Sequence, residues 1–359
     1  MTVIASYNHF GCGIVIGDIL INGPVNEGNP PETILPTLGN VKDFFGGAWG
    51  IYRPVQKVCI ISDVCAISWA GRLIHARSFV ERLNRLSKRI SIRVEIIERL
   101  FKKYGEGEIA IAGALYESGE IQTFGFGCNE IKCPTLGTVY SGGSGASIIQ
   151  DYVNIVKEMR LDRPPEDEIA ARGVSLALTQ VAHLLNAEFR KGYAAESIME
   201  LFGGGYEIAA FYEGKFHKIN ANFTFLEVSH KDGYLKVGNP RLLINQTYSQ
   251  GRLKFRAISP QGAYDDRVVR DDCIEMAPFY RHLKNDSMVS PDSDTNWACF
   301  VFVDDFKFLG DKLISIILKS EIPPVYFSVI DGNLHVQYSE KASGQIEEFL
   351  MNCYNNKEH

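Results

Sequence analysis

The sequence predicts an α+β protein in which pairs of strands and pairs of helices alternate, followed by a smaller α+β module. Three observations carry this. Short apolar runs of strand length recur in pairs around glycine-containing turns. Between the pairs lie stretches whose apolar residues recur at helical spacing. From about residue 223 the chain turns polar and turn-rich.

Taken in order, residues 2–8 and 12–18 read as two strands joined by Phe10-Gly-Cys-Gly13. Residues 19–54 hold Gly28-Asn-Pro-Pro-Glu32, Gly39-Asn40 and Gly46-Gly47 without a clear period, so they read as a long surface excursion. Residues 57–61 and 64–70 are strand-like and split at Ser62-Asp63. A helix is expected from near Arg72, with Leu73, Ala76, Phe79, Val80 and Leu83 on one face. A second carries Val94, Ile97, Leu100, Phe101 and Tyr104, and Gly105 and Gly107 stop it. Residues 108–116 and 120–126 form a hairpin around Glu117-Ser-Gly-Glu120, and 128–133 read as a loop. A short strand at 137–141 runs into Ser141-Gly-Gly-Ser-Gly145 and a helix with Ile148, Ile149, Tyr152 and Val156 inward. Pro164-Pro165 breaks the chain, and the acids Glu166-Asp-Glu168 open a helix towards Phe189. Gly203-Gly-Gly205 leads into strands at 206–212 and 215–219. Two antiparallel sheets with helices on both outer faces would bury these apolar sides, although the pattern alone leaves other α+β arrangements open. The expected division is 1–222, with an insertion at 19–54, and 223–359. The second part has strands at 252–258, 297–303, 324–330 and 333–338, a loop at 285–295 and a helix at 343–353.

Composition narrows the function. A hydrophobic content of 45%, 22% charged residues and a net charge of −6 fit a soluble globular protein with no general attraction to nucleic acid or anionic membrane. The basic residues between 82 and 103 are interleaved with Glu95 and Glu98 and follow Glu81, the pattern of solvated helix faces. No apolar run reaches transmembrane length, and no basic-then-apolar leader opens the chain. The eight cysteines are scattered without zinc-finger spacing and the eight histidines do not cluster, so neither a metal nor another cofactor is expected. A reduced, cytoplasmic protein is the expectation.

Chemistry enters at Thr2. With Met1 removed, Thr2 would carry a hydroxyl nucleophile and a free α-amine that titrates near neutrality. Three further features follow in order: Gly17-Asp18; Val55-Gln-Lys57, which runs through a strand pair to Trp69-Ala-Gly71; and Ser141-Gly-Gly-Ser144-Gly, which opens a helix. Each has a structural reading: Asp18 as a turn residue, Lys57 as an exposed strand residue, Gly71 as a strand-to-helix turn, Ser144 as a helix cap.

In this order and spacing, over roughly residues 2–220, the motifs resemble the N-terminal-threonine hydrolases: proteasome β-subunits and the bacterial HslV peptidase. The resemblance implies a four-layer αββα N-terminal-nucleophile (Ntn) sandwich with an added small α+β C-terminal module, acting as a threonine peptidase or amidohydrolase. By position, Thr2 resembles the nucleophile, Lys57 the lysine beside it, and Asp18 the acid that orients that lysine. The Gly71 N–H resembles the oxyanion donor, and Ser144 the serine near the threonine amine. Trp69 and Leu73 fall where the family shapes its substrate side-chain pocket, and the bulk of Trp69 implies a shallow one. The family's acid and serine in a Ser-Gly-Gly corner are matched only by Glu200-Leu-Phe-Gly203-Gly-Gly, which makes Glu200 an auxiliary candidate without the serine hydroxyl. The implied partners are a peptide or protein substrate, other copies of the chain in a homo-oligomer, and a separate ATPase or regulatory protein, since no Gly-x-x-x-x-Gly-Lys-[Ser/Thr] motif is present. The competing expectation is a non-catalytic proteasome-like scaffold or a partner-binding regulatory protein.

Overall fold

The structure is a computed structural model that describes residues 2–24, 33–41, 49–159, 161–231, 234–261, 268–279, 297–303 and 314–355. Met1, the glycine- and proline-rich stretch at 28–32, Gly46-Gly47 and the expected loop at 285–295 lie outside them. The chain divides into two compact units, Met1–Ile219 with Met276–Asp286, and Asn220–Glu275 with Ser287–His359.

The elements of the first unit, in chain order, are strands β1 (Ile4–His9), β2 (Cys12–Asp18), β3 (Leu20–Pro24), β4 (Thr33–Leu35), β5 (Gly39–Val41), β6 (Trp49–Pro54), β7 (Val58–Ser62) and β8 (Cys65–Gly71). Helices α1 (Leu73–Ser87) and α2 (Val94–Tyr104) follow, then β9 (Ile109–Glu117), β10 (Glu120–Phe126), β11 (Asn129–Cys133) and β12 (Gly137–Gly142). Helices α3 (Ala146–Met159), α4 (Ile169–Lys191) and α5 (Glu196–Met199) precede β13 (Tyr206–Tyr212) and β14 (Lys215–Lys218). Glu166–Glu168 form a 3-10 turn just ahead of α4.

Two antiparallel sheets organise this unit, one in the order β11-β12-β1-β2-β13-β14 and one in the order β10-β9-β8-β7. Their facing sides share small and branched side chains, among them Val15 and Ala209 from the first sheet and Val58, Ala66 and Ala114 from the second. Small residues permit that close approach: a Cβ on Gly17 would stand 3.3 Å from Val58 and 3.5 Å from Ser68. The outer side of the four-stranded sheet buries Ile67 and Trp69 against Ala76, Phe79, Val80 and Leu83 of α1 and Ile97 and Phe101 of α2. This matches the 3.6-residue apolar stripe of each helix. Helices α3 and α4 pack on strands of the six-stranded sheet, α4 against β2 and β13 and α3 against β11 and β12.

Two sequence expectations need correction. The 19–54 segment is not simply a surface excursion: β3 pairs with β6 and β4 with β5, and Leu20, Leu35, Val41 and Ile51 are buried with Ala195 and Ile198. Its strands are short and glycine-rich, so no period-two pattern shows. The expected loop at 128–133 contains β11, which extends the sheet by pairing with β12. Its outward residues Glu130 and Lys132 hide the buried Ile131 and Cys133.

The second unit adds β15 (Ala221–Lys231), β16 (Tyr234–Ser249), β17 (Arg252–Gln261), β18 (Val268–Met276), β19 (Trp297–Val303), β20 (Ile314–Lys319), β21 (Val325–Ile330), β22 (Asn333–Tyr338) and α6 (Glu340–Asn355). Its sheet runs β18-β17-β16-β15-β19-β20, with β15 and β19 parallel. Ala342, Ile346 and Leu350 of α6 join a core with Leu226, Phe300 and Val325. The sequence reading missed β15, β16, β18 and β20; in β15 and β16 polar residues interrupt the apolar alternation.

Candidate active site

The alternation of a β-strand puts Thr2 on the side that Ile4 and Ser6 share. That side faces the four-stranded sheet, since Ile4 packs with Ala70 and Ala112 and Ser6 Oγ donates to the Phe124 carbonyl at 3.4 Å. Lys57 arrives there from the residue before β7. Its ammonium donates to Thr2 Oγ1 at 2.7 Å, to Asp18 Oδ1 at 2.9 Å and to the Leu20 carbonyl. Three acceptors around one nitrogen match the three N–H donors of a protonated lysine.

Asp18 ends β2 and is held on both oxygens. Oδ1 also accepts from the Val3 N–H at 3.0 Å, and Oδ2 accepts from the Leu20 N–H at 3.1 Å and the Gly203 N–H at 3.0 Å. Asp18 and Lys57 are 0% exposed and Thr2 is 2% exposed. Burial pushes the Lys57 ammonium below its ordinary value, and Asp18, then Glu207, oppose that push.

Behind Lys57 stands a second acid–lysine pair, its carboxylate fully buried and its lysine partly so. Glu207 of β13 accepts from the backbone N–H groups of Lys57 and Val58, the latter at 3.0 Å, and also from Lys218. The backbone that carries the lysine is therefore fixed from the other sheet.

Ser144 closes the opposite side. The Thr2 nitrogen donates to Ser144 Oγ at 3.3 Å, and Ser144 Oγ donates to the Glu200 carbonyl at 2.9 Å. Glu200 thus reaches this corner through its backbone, and the residue itself is exposed. The buried acid here is Glu188 of α4, which accepts from the hydroxyls of Thr37, Ser197 and Tyr206 and from the Gly204 N–H. A Cβ on Gly203, at φ 103°, would overlap Glu188 Oε1. Any side chain at 203 would therefore crowd the Glu188 carboxylate and need a backbone conformation that favours glycine.

Gly71 ends β8 at φ 104°, exposed, and a Cβ there would overlap the Glu108 carbonyl oxygen and stand 2.8 Å from Ile109 Cα. Only glycine fits. Trp69 lies on the helix side of β8, fully buried, with its ring centroid 6.0 Å from Lys57 Nζ. Phe279 stacks on it with centroids 4.5 Å apart and planes at 27°. The Gln56 side chain donates to the Met276 carbonyl at 3.0 Å, which ties down the start of the segment bearing Phe279. Leu73 is half-buried and packs against the same core as Trp69.

Direct hydrogen bonds thus bring Thr2, Asp18, Lys57 and Ser144 together, with Trp69 beside them and Gly71 and Leu73 on the following corner. Sequence reasoning passed over Glu188, Glu207, Lys218 and Phe279. Two left a signal: Glu188 continues the apolar stripe Val181, Leu184, Leu185 of α4, and Glu207 is a lone acid in the apolar run 206–212. Among the described residues, no cluster of three or more His, Cys, Asp or Glu is placed to hold a metal ion, and no helix is long and apolar enough to cross a membrane.

No family model matches this chain, and no curated protein sequence matches it. A buried ammonium on a threonine hydroxyl favours the deprotonated form of that hydroxyl. The paired carboxylate keeps that ammonium charged and aimed.

Proposed function

We propose that the chain is an N-terminal-threonine peptidase or amidohydrolase with an αββα Ntn fold. The observation that carries the reading is the buried line Asp18–Lys57–Thr2, with Lys57 Nζ 2.9 Å from the carboxylate and 2.7 Å from the hydroxyl. The fold reading is supported by two facing antiparallel sheets with helices packed on strands of each. In this mechanism the residue ahead of Thr2, Met1 in this sequence, is removed first. The freed α-amine, beside Ser144, takes the proton of Thr2 Oγ as that oxygen attacks a substrate carbonyl carbon. Lys57 stabilises the nascent alkoxide and, by like-charge repulsion, keeps the amine neutral. The Gly71 N–H meets the tetrahedral oxyanion. The amine then protonates the leaving nitrogen as the C–N bond breaks, and water hydrolyses the Thr2 ester.

The test combines intact mass of the native protein with turnover of amide substrates and labelling by a β-lactone. Loss of Met1, Thr2-dependent turnover and a Thr2 adduct are expected, all but the first abolished by Thr2→Ala. Unchanged turnover in Thr2→Ala refutes the reading. A second reading, a non-catalytic scaffold of the same fold, is favoured by one observation: Phe279 already stacks on Trp69 where a substrate side chain would sit. Retained Met1 with no labelling supports it.

A further inference from the structure

Two fully buried carboxylates near the threonine take no part in the mechanism above: Glu207, which holds the Lys57 backbone, and Glu188. Glu188 is 0% exposed. Oε1 accepts from Tyr206 Oη at 2.7 Å and Ser197 Oγ at 3.1 Å, and Oε2 accepts from Thr37 Oγ1 at 2.9 Å. The Gly204 N–H lies 3.3 Å from both oxygens. One side chain therefore joins α4, α5, the first residue of β13, the turn between β4 and β5, and the glycine loop at 203–205.

That loop is the other half of the Asp18 site. Gly203 N–H donates to Asp18 Oδ2 at 3.0 Å, and the Gly205 carbonyl accepts from the Ile19 N–H at 3.1 Å. The loop grips the chain on both sides of the Asp18 carbonyl, and Leu20, the next residue, offers its own carbonyl to Lys57. Glycines at φ 103° and 72° have little intrinsic preference for this one conformation. Something outside the loop must select it. Glu188 accepts from Gly204 N–H, and Gly203, the residue before, gives its N–H to Asp18.

We propose that Glu188 is a positioning residue for the Thr2 centre: it fixes the 203–205 loop, which holds Asp18, which aims Lys57 at Thr2. Thr37 shares the same carboxylate, so the β4–β5 turn is coupled to the centre through it. Burial raises the Glu188 carboxyl to about 7 even against its hydrogen bonds. An acid kept there at that cost in solvation is a specific anchor rather than a space-filler. The inference rests on the threonine-hydrolase reading.

The test measures β-lactone inactivation of the full chain, separating kinact from KI, with mass spectrometry of Thr2. Glu188→Gln opposes an amide NH2 to at least one loop or hydroxyl donor; kinact is expected to fall roughly 10–100-fold with KI unchanged, the scale of an ångström-sized misplacement. Ser197→Ala removes one hydroxyl donor to the same carboxylate and leaves its contacts with the Gly204 N–H, and kinact is expected to stay within about twofold. Should Glu188→Gln not fold, Glu188→Asp, which withdraws the carboxylate by one methylene, is read by the same criteria. Wild-type kinact in folded Glu188→Gln, or an equal fall in Ser197→Ala, overturns the positioning role alone. Absence of a Thr2 adduct in the wild-type protein refutes the hydrolase reading and the role with it.

Discussion

Asp18→Ala is the most demanding perturbation of this site. It removes the acceptor of four donors, the N–H groups of Val3, Leu20 and Gly203 and the Lys57 ammonium. The last is a charge at 0% exposure. Breaking a buried pair by deleting one partner costs about 3–5 kcal/mol, a large share of the ~5–15 kcal/mol that holds a domain together. The loss carries a pH signature. Burial already holds Lys57 below its ordinary 10.5, and Asp18 is the strongest group opposing that. Without Asp18 the folded value drops further, so the native state binds fewer protons than the unfolded state from that lower value up to 10.5. Stability of the variant therefore rises with pH across this window, and its deficit against wild type shrinks as Lys57 becomes neutral. Urea unfolding from about pH 6 to about pH 10 reads both effects. The companion Asp18→Ala/Lys57→Met, which replaces the pair by apolar groups, is expected to recover at least about 2 kcal/mol of the single variant's loss. A single variant that loses less than about 1 kcal/mol, or whose deficit ignores pH, refutes the account of a buried, mutually dependent pair.

Gly71→Ala places a methyl group against the Glu108 carbonyl at a φ that suits only glycine, so a loss of about 1–3 kcal/mol in thermal unfolding is expected together with slower Thr2 acylation; wild-type behaviour in both would be inconsistent with the corner described. Glu188→Gln removes a carboxyl whose folded value near 7 exceeds its ordinary 4.5. The native wild type therefore binds more protons than the unfolded chain between those values, and it should lose about 3 kcal/mol relative to Glu188→Gln as pH rises through that interval. Parallel melting-temperature curves for the two proteins would contradict this. Phe279→Ala removes the ring stacked on Trp69, with an expected loss of about 1–2 kcal/mol and a change in tryptophan emission; an unchanged spectrum would show that the stack is not populated in solution.

How much of this was legible in the sequence depended on whether a residue's role is local. Thr2, Asp18 and Lys57 sit at the ends of apolar strands, and each is a polar residue where alternation leaves a place for one. The helix stripes of α1 and α2 were equally plain, because their apolar positions repeat every three or four residues. Glu188 and Glu207 were harder, since an acid in a helix or strand reads as solvent-facing unless the surrounding stripe is followed through it. Phe279 lay in a turn-rich stretch far along the chain, and nothing local ties it to Trp69. The strands at 19–54 were hidden by their brevity, and β11 by its charged outward residues. All depend on pairing partners distant in sequence, which periodicity does not report.

The overlap between a Gly203 side chain and Glu188 couples positions 188 and 203 for any lineage or engineer. A serine at 203 and a glutamate at 188 claim one volume, so neither arrangement reaches the other by a single tolerated step beginning at 203. Shrinking residue 188 alone does not open the position, because a φ of 103° strains any L side chain at 203, so the loop backbone must change as well. A side chain on the loop and the carboxylate behind it exclude each other through volume and through backbone conformation together.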